Sequence, residues 1–117
     1  MTEQYSHRAR KRFGQNFLHD AGVIHRILRA IHALPGEHVL EIGPGQGALT
    51  EGLLGSGARL DVIELDKDLL PLLQSRFGDN PRFSLNQGDA LKFDFQRLGA
   101  APHSLRVVGN LPYNIST

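Results

Sequence analysis

Hydrophobic residues form two kinds of pattern along the chain, one typical of helices and one typical of strands. After Asp20, apolar residues return every three or four positions, which predicts a helix with one apolar face. The residues of this face are Val23, Ile24, Ile27, Leu28, Ile31 and Leu34. Asp20 is a suitable N-cap, and Pro35-Gly36 predicts the end of the helix.

Short apolar runs alternate with further helices in the rest of the chain. Helices are predicted after the glycines at 43–47 and after Asp66, which can cap the second of them. Strands are predicted at 38–42, 59–65, 83–86 and 105–108. Because strand and helix alternate, we expect a parallel sheet with right-handed crossovers, that is, an α/β doubly wound architecture.

The composition of the chain excludes several classes of protein. The chain has 117 residues, 40% of them hydrophobic and 21% charged, and no cysteine. We therefore expect a single domain without disulfides, thiolate metal sites or cysteine nucleophiles. The six histidines show no metal-ligand spacing, so we predict no metal. No apolar run approaches the ~20 residues of a membrane-spanning helix, and the N-terminus has no signal-peptide pattern, so we expect a cytoplasmic protein without membrane contact.

Positive charge is concentrated near the N-terminus. Residues 1–34 carry a net charge of +4, and the rest of the chain carries −3. Four cations lie within five positions, namely Arg8, Arg10, Lys11 and Arg12. A basic arm on a mildly acidic body suggests contact with a polyanion. On charge alone, a solvated terminus explains the same pattern equally well.

The first chemical signal is a glycine loop followed by an acidic residue. Gly43, Gly45 and Gly47 lie where the first strand turns into a helix, and such glycines permit a tight turn and close approach of a ligand to the backbone. Glu64 ends the next strand, where a carboxylate can accept hydrogen bonds from a ribose diol. The pair indicates a nucleoside-containing cofactor. Because Ala48 stands where a third small residue would be, NAD is not excluded; a tight turn with a surface Glu is the structural alternative.

Two further strand ends carry polar groups. Asp89 follows the third strand and can accept from a base amino group, or simply cap a turn. After the fourth strand, Asn110 offers an acceptor, Pro112 constrains the carbonyl of Leu111, and Tyr113 offers a flat face for stacking. Two acceptors that hold an exocyclic amine can aim its lone pair at a methyl sulfonium, which is positioning catalysis. An ordinary turn beside a buried tyrosine is the alternative.

Five segments together resemble a known family. They are RKRFGQNFL at 10–18, EIGPGQG at 41–47, ELD at 64–66, GDA at 88–90 and NLPY at 110–113. In their order and spacing they are similar to the N-terminal part of the bacterial small-subunit rRNA adenine dimethyltransferases of the KsgA/RsmA type. The resemblance implies a Rossmann-like class I methyltransferase fold that uses S-adenosylmethionine. It also implies N6,N6-dimethylation of two adjacent adenosines near the 3′ end of 16S rRNA, in small-subunit biogenesis.

The resemblance also implies roles for individual residues. Asn16 and Leu18 would close over the cofactor, Glu64 would hold its ribose, and Asp89 its adenine amino group. The implied cofactor-binding residues are Asn16, Leu18, Gly43, Gly45, Glu64, Asp89 and Asn110. The implied catalytic residues are Asn110, Leu111, Pro112 and Tyr113, with Tyr113 stacked on a flipped base. The implied contacts to RNA phosphates are Arg8, Arg10, Lys11 and Arg12.

The family pattern extends beyond this sequence. We divide the chain into a basic arm with the QNFL motif at 1–19 and the N-terminal part of a methyltransferase domain at 20–117. Family members continue with three more strands and a helical C-terminal domain, and their strand order is 3-2-1-4 over the part seen here. We therefore expect a fragment, truncated after the fourth strand, that keeps much of the cofactor half and transfers methyl groups inefficiently. A monomer is expected for the complete chain.

Other functions explain fewer of the motifs. Large-subunit rRNA adenine methyltransferases of the macrolide-resistance type also resemble the chain, although Phe13-Gly14 and Leu111 favour the small-subunit type. A mitochondrial transcription factor derived from the family is disfavoured by the absence of a transit-type presequence. An NAD-dependent dehydrogenase leaves NLPY and QNFL unexplained. A non-catalytic RNA-binding module leaves the series Gly43, Glu64, Asp89 unexplained, and Asp89→Ala would separate it from an enzyme by its effect on cofactor binding.

Overall fold

Strands and helices alternate through the part of the chain that the computed structural model describes, residues 20–101 and 103–109. The α-helices are α1 (Ala21–Ile31), α2 (Ala48–Gly55) and α3 (Leu70–Phe77), and the strands are β1 (His38–Ile42), β2 (Arg59–Glu64), β3 (Phe83–Gln87) and β4 (Leu105–Gly109). Short 3-10 helices span Lys67–Leu69 and Phe95–Leu98. The predicted strands agree with these bounds to within one residue at each end.

The strands form one parallel sheet in the order β3-β2-β1-β4. This confirms the α/β class and the strand order implied by the resemblance. Ile42 at the end of β1 lies opposite Ile63 of β2 and Gly109 of β4, and Glu64 lies opposite Gln87 of β3. Because all strands run the same way, their carboxyl ends meet at one edge, and the loops that follow them are neighbours there.

The first helix begins as predicted and ends earlier. Asp20 accepts hydrogen bonds from the N–H groups of Gly22 and Val23 at 2.9 and 3.2 Å, so it is the N-cap. The helix ends at Ile31, because His32 adopts a left-handed conformation with φ of 50°. Leu34, predicted on the apolar face, therefore lies outside the helix and is 48% exposed. Placing the end of the helix at Pro35-Gly36 was wrong.

The third helix is preceded by a short 3-10 helix. Asp66 caps the 3-10 helix Lys67–Leu69 by accepting from the N–H of Asp68 at 2.9 Å, and α3 starts directly afterwards at Leu70. Pro71 lies in the first turn of α3, where its missing N–H costs no helical hydrogen bond. The predicted cap is therefore correct in position, but it opens a 3-10 turn before the α-helix.

The two faces of the sheet are covered by different elements. On one face, the three helices pack against a core that includes Val39, Leu60 and Val62, all fully buried. On the other face, Leu40 and Ile63 pack with Leu98 of the second 3-10 helix. Buried on both faces, β1 and β2 form a rigid base for the loops at their carboxyl ends. No helix in the described ranges has the length and apolar character needed to cross a membrane.

Candidate functional site

The loop between β1 and α2 is held in a conformation that suits glycine. Gly43, Gly45 and Gly47 have φ values of 69°, 60° and 97°, a region that side chains with a Cβ rarely adopt. The N–H of Gly43 donates to the carbonyl of Ile63 at 2.9 Å, and the N–H of Gly47 donates to the carbonyl of Pro44 at 2.9 Å. These bonds join the loop to β2 and close its turn, so the predicted tight turn is present.

Two glycines of this loop face different surroundings. A Cβ placed on Gly45 would meet no atom of the described residues within 4 Å, so this part of the chain leaves space beside the loop there. A Cβ placed on Gly47 would lie 2.5 Å from the ring of Phe77, so the loop packs tightly against α3 at that point. A ligand can therefore approach the backbone at Gly45, while Gly47 anchors the loop to the fold.

Glu64 connects the loops at the carboxyl edge. Its side chain accepts from the N–H of Gly45 at 3.3 Å and from the N–H of Asp66 at 2.9 Å, one bond to each carboxylate oxygen. Its main-chain carbonyl accepts from the N–H of Gly88 at 3.0 Å. The residue is only 6% exposed, which contradicts the alternative of an ordinary surface glutamate. Since a carboxylate has about four lone-pair sites, two more donors, such as vicinal hydroxyls, can still bind.

Asp89 lies in the loop after β3, beside the loop of Glu64. Its Oδ1 accepts from the N–H of Leu91 at 2.9 Å, and its main-chain carbonyl accepts from the N–H of Lys92 at 2.9 Å. The turn-capping role considered from the sequence is therefore real. Within the described residues Oδ2 makes no hydrogen bond, so this oxygen retains acceptor capacity.

Glu41 is a buried carboxylate to which the sequence analysis assigned no role. It lies one residue before the end of β1, has no exposed surface, and accepts from the hydroxyl of Thr50 in α2 at 2.6 Å. This bond ties the strand before the glycine loop to the helix after it. A charged residue inside an otherwise apolar strand was the available signal.

The structure brings together only part of the predicted site. Gly43, Gly45 and Glu64 are in one hydrogen-bonded unit, and Gly88 links the loop of Asp89 to it. The remaining predicted residues lie outside the described part of the chain; they are Arg8, Arg10, Lys11, Arg12, Asn16, Leu18, Asn110, Leu111, Pro112 and Tyr113. Within the described ranges, no group of three or more side chains is placed to hold a metal ion.

Sequence comparison finds a family and close relatives. Residues 6–117 match the model of the ribosomal RNA adenine dimethylase family. The ribosomal RNA small subunit methyltransferase A of Pseudomonas putida is 78% identical over 117 residues, and that of Pseudomonas aeruginosa is 79% identical. All of this chain is aligned in both cases, and it spans 44% of each relative's length.

Solved methyltransferase structures share the fold. The 23S rRNA methyltransferase ErmE is 30% identical with a TM-score of 0.64, over 77% of this chain and 35% of its own. A dimethyladenosine transferase from Plasmodium falciparum is 27% identical with a TM-score of 0.64, over 80% of this chain and 33% of its own. The glycopeptide N-methyltransferase MtfA, solved with S-adenosylmethionine, is 28% identical with a TM-score of 0.51, over 61% of this chain and 33% of its own. The α/β sheet described above is therefore of the Rossmann-like methyltransferase type.

Proposed function

The chain belongs to the ribosomal RNA adenine dimethylase family, and from this premise we propose that it is the cofactor-binding part of a 16S rRNA adenine N6-dimethyltransferase. The cofactor is S-adenosylmethionine, the substrate is a pair of adjacent adenosines near the 3′ end of 16S rRNA, and the process is small-subunit biogenesis in the cytoplasm. The observation that carries the proposal is the buried Glu64, which is bonded to a glycine loop that opens at Gly45.

The described residues fit the chemistry of S-adenosylmethionine. Glu64 can accept from both ribose hydroxyls with its remaining lone pairs, and its hydrogen bonds to Gly45 and Asp66 keep it oriented. The open side of Gly45 leaves room for the methionine part of the cofactor next to the loop backbone. Asp89 follows β3 at the same edge and can accept from the adenine amino group. The complex of MtfA with S-adenosylmethionine supports the same cofactor class.

The catalytic part of the proposal concerns Asn110, Leu111, Pro112 and Tyr113. β4 ends at Gly109, opposite Ile42, and Asn110 is the next residue in the sequence, which supports a role for the motif near the edge at which Glu64 lies. Asn110 and the carbonyl of Leu111 would accept from the target amine, and Tyr113 would stack on the extruded base. When bound, the cofactor supplies an electrophilic methyl group. The protein's contribution is to orient the amine lone pair toward it.

Names and sequence identity favour the small-subunit substrate. The relatives from both Pseudomonas species are named as small-subunit methyltransferases and are far more similar to this chain than ErmE, a 23S rRNA enzyme. We propose that Arg8, Arg10, Lys11 and Arg12 contact phosphates of the RNA, and that Asn16 and Leu18 cover the cofactor. The division into an arm at 1–19 and a methyltransferase part at 20–117 belongs to the same proposal.

A calorimetric titration tests the cofactor assignment. The chain is titrated with S-adenosylmethionine and, in parallel, with NAD. We expect S-adenosylmethionine to bind at one site. We expect no heat of binding from NAD, because an NAD-binding protein would leave the NLPY and QNFL motifs unexplained. Binding of NAD alone, or of neither ligand, would contradict the proposal for this chain.

Binding to RNA tests the substrate assignment separately. A fragment from the 3′ end of 16S rRNA is compared with a 23S rRNA fragment of the same length in a filter-binding assay at two salt concentrations. We expect tighter binding to the 16S fragment, with an affinity that falls as salt rises, because phosphate contacts release counterions. Equal affinity for both fragments would remove the support for the small-subunit substrate.

A further inference from the structure

Arg76, in the last turn of α3, contacts the glycine loop from the side of the helix layer. Its guanidinium donates a hydrogen bond to the carbonyl of Gln46 and lies 4.8 Å from the centroid of the Phe77 ring. It also lies 3.5 Å from the carboxylate of Glu51 in α2. Since the Glu51 side chain is 75% exposed, that ion pair contributes little, and the bond to Gln46 is the specific contact.

Phe77, the residue after Arg76, contacts Gly47, the loop residue after Gln46. The ring of Phe77 is buried, packs against the tilted ring of Phe83 in β3 with the two centroids 5.6 Å apart, and fills the space beside Gly47. Two consecutive side chains of α3 therefore hold two consecutive residues of the loop. Arg76 does so through a polar contact and Phe77 through packing.

Both polar ends of one peptide group are held by this arrangement. The peptide between Gln46 and Gly47 donates its N–H to the carbonyl of Pro44 at 2.9 Å, and its carbonyl accepts from Arg76. Glycine tolerates both signs of φ, so a loop with Gly45 and Gly47 on either side of Gln46 has little intrinsic resistance to rotation of its peptide groups. The bonds to Pro44 and to Arg76 supply that resistance, and the one from Arg76 is made by a side chain that a substitution can remove.

We propose that Arg76 is a positioning residue of the cofactor site, acting through the carbonyl of Gln46 on the loop that receives the methionine part of S-adenosylmethionine. The inference rests on the proposed function for its ligand. Arg76 itself does not need to touch the ligand, because it fixes the orientation of the loop backbone. Loss of its side chain then weakens contacts with the methionine part and spares those made by Glu64 and Asp89 to the nucleoside.

The experiment compares two ligands that share a nucleoside. Arg76→Leu is titrated with S-adenosylmethionine and with 5′-methylthioadenosine, which lacks the amino-acid part. We expect an affinity about tenfold lower for S-adenosylmethionine, the equivalent of about one hydrogen bond, and little change for methylthioadenosine. Arg76→Lys, which keeps a charged donor, should restore most of the affinity. Glu51→Ala removes the other partner of Arg76 and should leave both affinities unchanged.

Hydrogen exchange provides a readout that needs no ligand. In Arg76→Leu, the amide of Gly47 should exchange about tenfold faster than in the parent chain, while amides in the centre of β1 keep their rates. Equal weakening of both ligands would show a general structural role and overturn the proposal. An unchanged Gly47 exchange rate would also overturn it, even if the parent chain binds no S-adenosylmethionine. Failure of the parent chain to bind would instead contradict the proposed function.

Discussion

The two ends of β2 each bury an acidic side chain, and the two side chains have different partners. Near the amino end, Asp61 is 3% exposed; its Oδ2 lies 2.6 Å from Nε2 of His38, and its Oδ1 accepts from the side-chain amide of Asn86 at 3.2 Å. At the carboxyl end, Glu64 is 6% exposed and accepts from the backbone N–H groups of Gly45 and Asp66. One acid is bonded to side chains of neighbouring strands, and the other to loops.

We propose that this difference distinguishes a structural acid, Asp61, from a ligand-binding acid, Glu64. Asp61 and Glu64 are three positions apart, so their side chains lie on opposite faces of the sheet. Asp61 joins β1, β2 and β3 on the face that carries Leu40. Glu64 lies at the edge where the loops meet, and its bonds to backbone leave lone pairs for a ligand. We therefore expect substitutions at Asp61 to change stability and substitutions at Glu64 to change affinity.

The largest expected effect is the loss of stability in Asp61→Ala. Removing the carboxylate leaves the buried ring of His38 without its partner and takes one of two acceptors from the half-buried amide of Asn86, which costs about 3 kcal/mol of unfolding free energy. Urea denaturation measures this loss, and Asp79→Ala, a change at an exposed position, should remain within about 0.5 kcal/mol of the parent. The molecules that remain folded should bind S-adenosylmethionine with parental affinity. A large loss of affinity without loss of stability would reverse the distinction between the two acids.

Glu64→Gln should have the next largest effect, and it should appear in ligand affinity. The amide keeps the size of the side chain but loses the charge, and its NH2 group replaces one of the two oxygens that accept from the backbone and would accept from a ribose hydroxyl. Affinity for S-adenosylmethionine should fall about a hundredfold, equivalent to about 2.7 kcal/mol, which is the size of one to two hydrogen bonds to a charged group. Calorimetry measures it, and Asp68→Asn, at an exposed carboxylate of the following loop, is the matched control. A variant that loses stability but binds with parental affinity would make Glu64 a structural residue like Asp61.

The sequence predicted the strands and their order better than it predicted the hydrogen bonds between side chains. The strands, their order and the position of Glu64 followed from apolar spacing, from glycines and from the family motifs, because these are properties of short segments. The bonds from Asp61 to His38 and Asn86 join residues more than twenty positions apart and depend on strand register, which no short segment encodes. The bond from Arg76 to Gln46 was missed for the same reason. Residues of the arm and of the NLPY motif remain predictions.

Gly47 and Gly45 provide a second comparison between a structural and a ligand-facing position, this time within one loop. Gly47→Ala should lower the unfolding free energy by about 2 kcal/mol, because its Cβ would meet the Phe77 ring in addition to the strain of positive φ. Gly45→Ala should cost about 1 kcal/mol, from positive φ alone, since its Cβ would meet no atom of the described residues. Thermal denaturation and calorimetry measure both variants. Gly45→Ala should weaken S-adenosylmethionine binding more than its small loss of stability suggests. If Gly45→Ala were less stable than Gly47→Ala, Gly47 would not be the residue that packs against the fold.

The smallest expected effect is a dependence on acid pH at the amino end of the sheet. The pKa of Glu37 is lowered from its ordinary value of 4.5, chiefly because its carboxylate accepts from the N–H of Leu34, and also because it contacts Arg106. A lowered folded-state pKa means that the unfolded chain binds more protons in acid. The stabilisation by Glu37 is therefore complete above about pH 4.5 and is lost as pH falls through the folded-state value.

Glu37→Gln isolates this contribution. Melting temperatures of the parent chain and the variant are compared from neutral pH down to about pH 3, so that the titration of all other carboxylates cancels in the difference. The parent should be more stable at neutral pH, and the difference between the two curves should shrink as the pH falls below 4.5 and Glu37 takes up its proton. Because Glu37 lies at the amino end of the sheet, affinity for S-adenosylmethionine at neutral pH should be the same in both. A difference that stays the same across the whole range would contradict the prediction, because it would mean that the charge of the Glu37 carboxylate contributes nothing to stability.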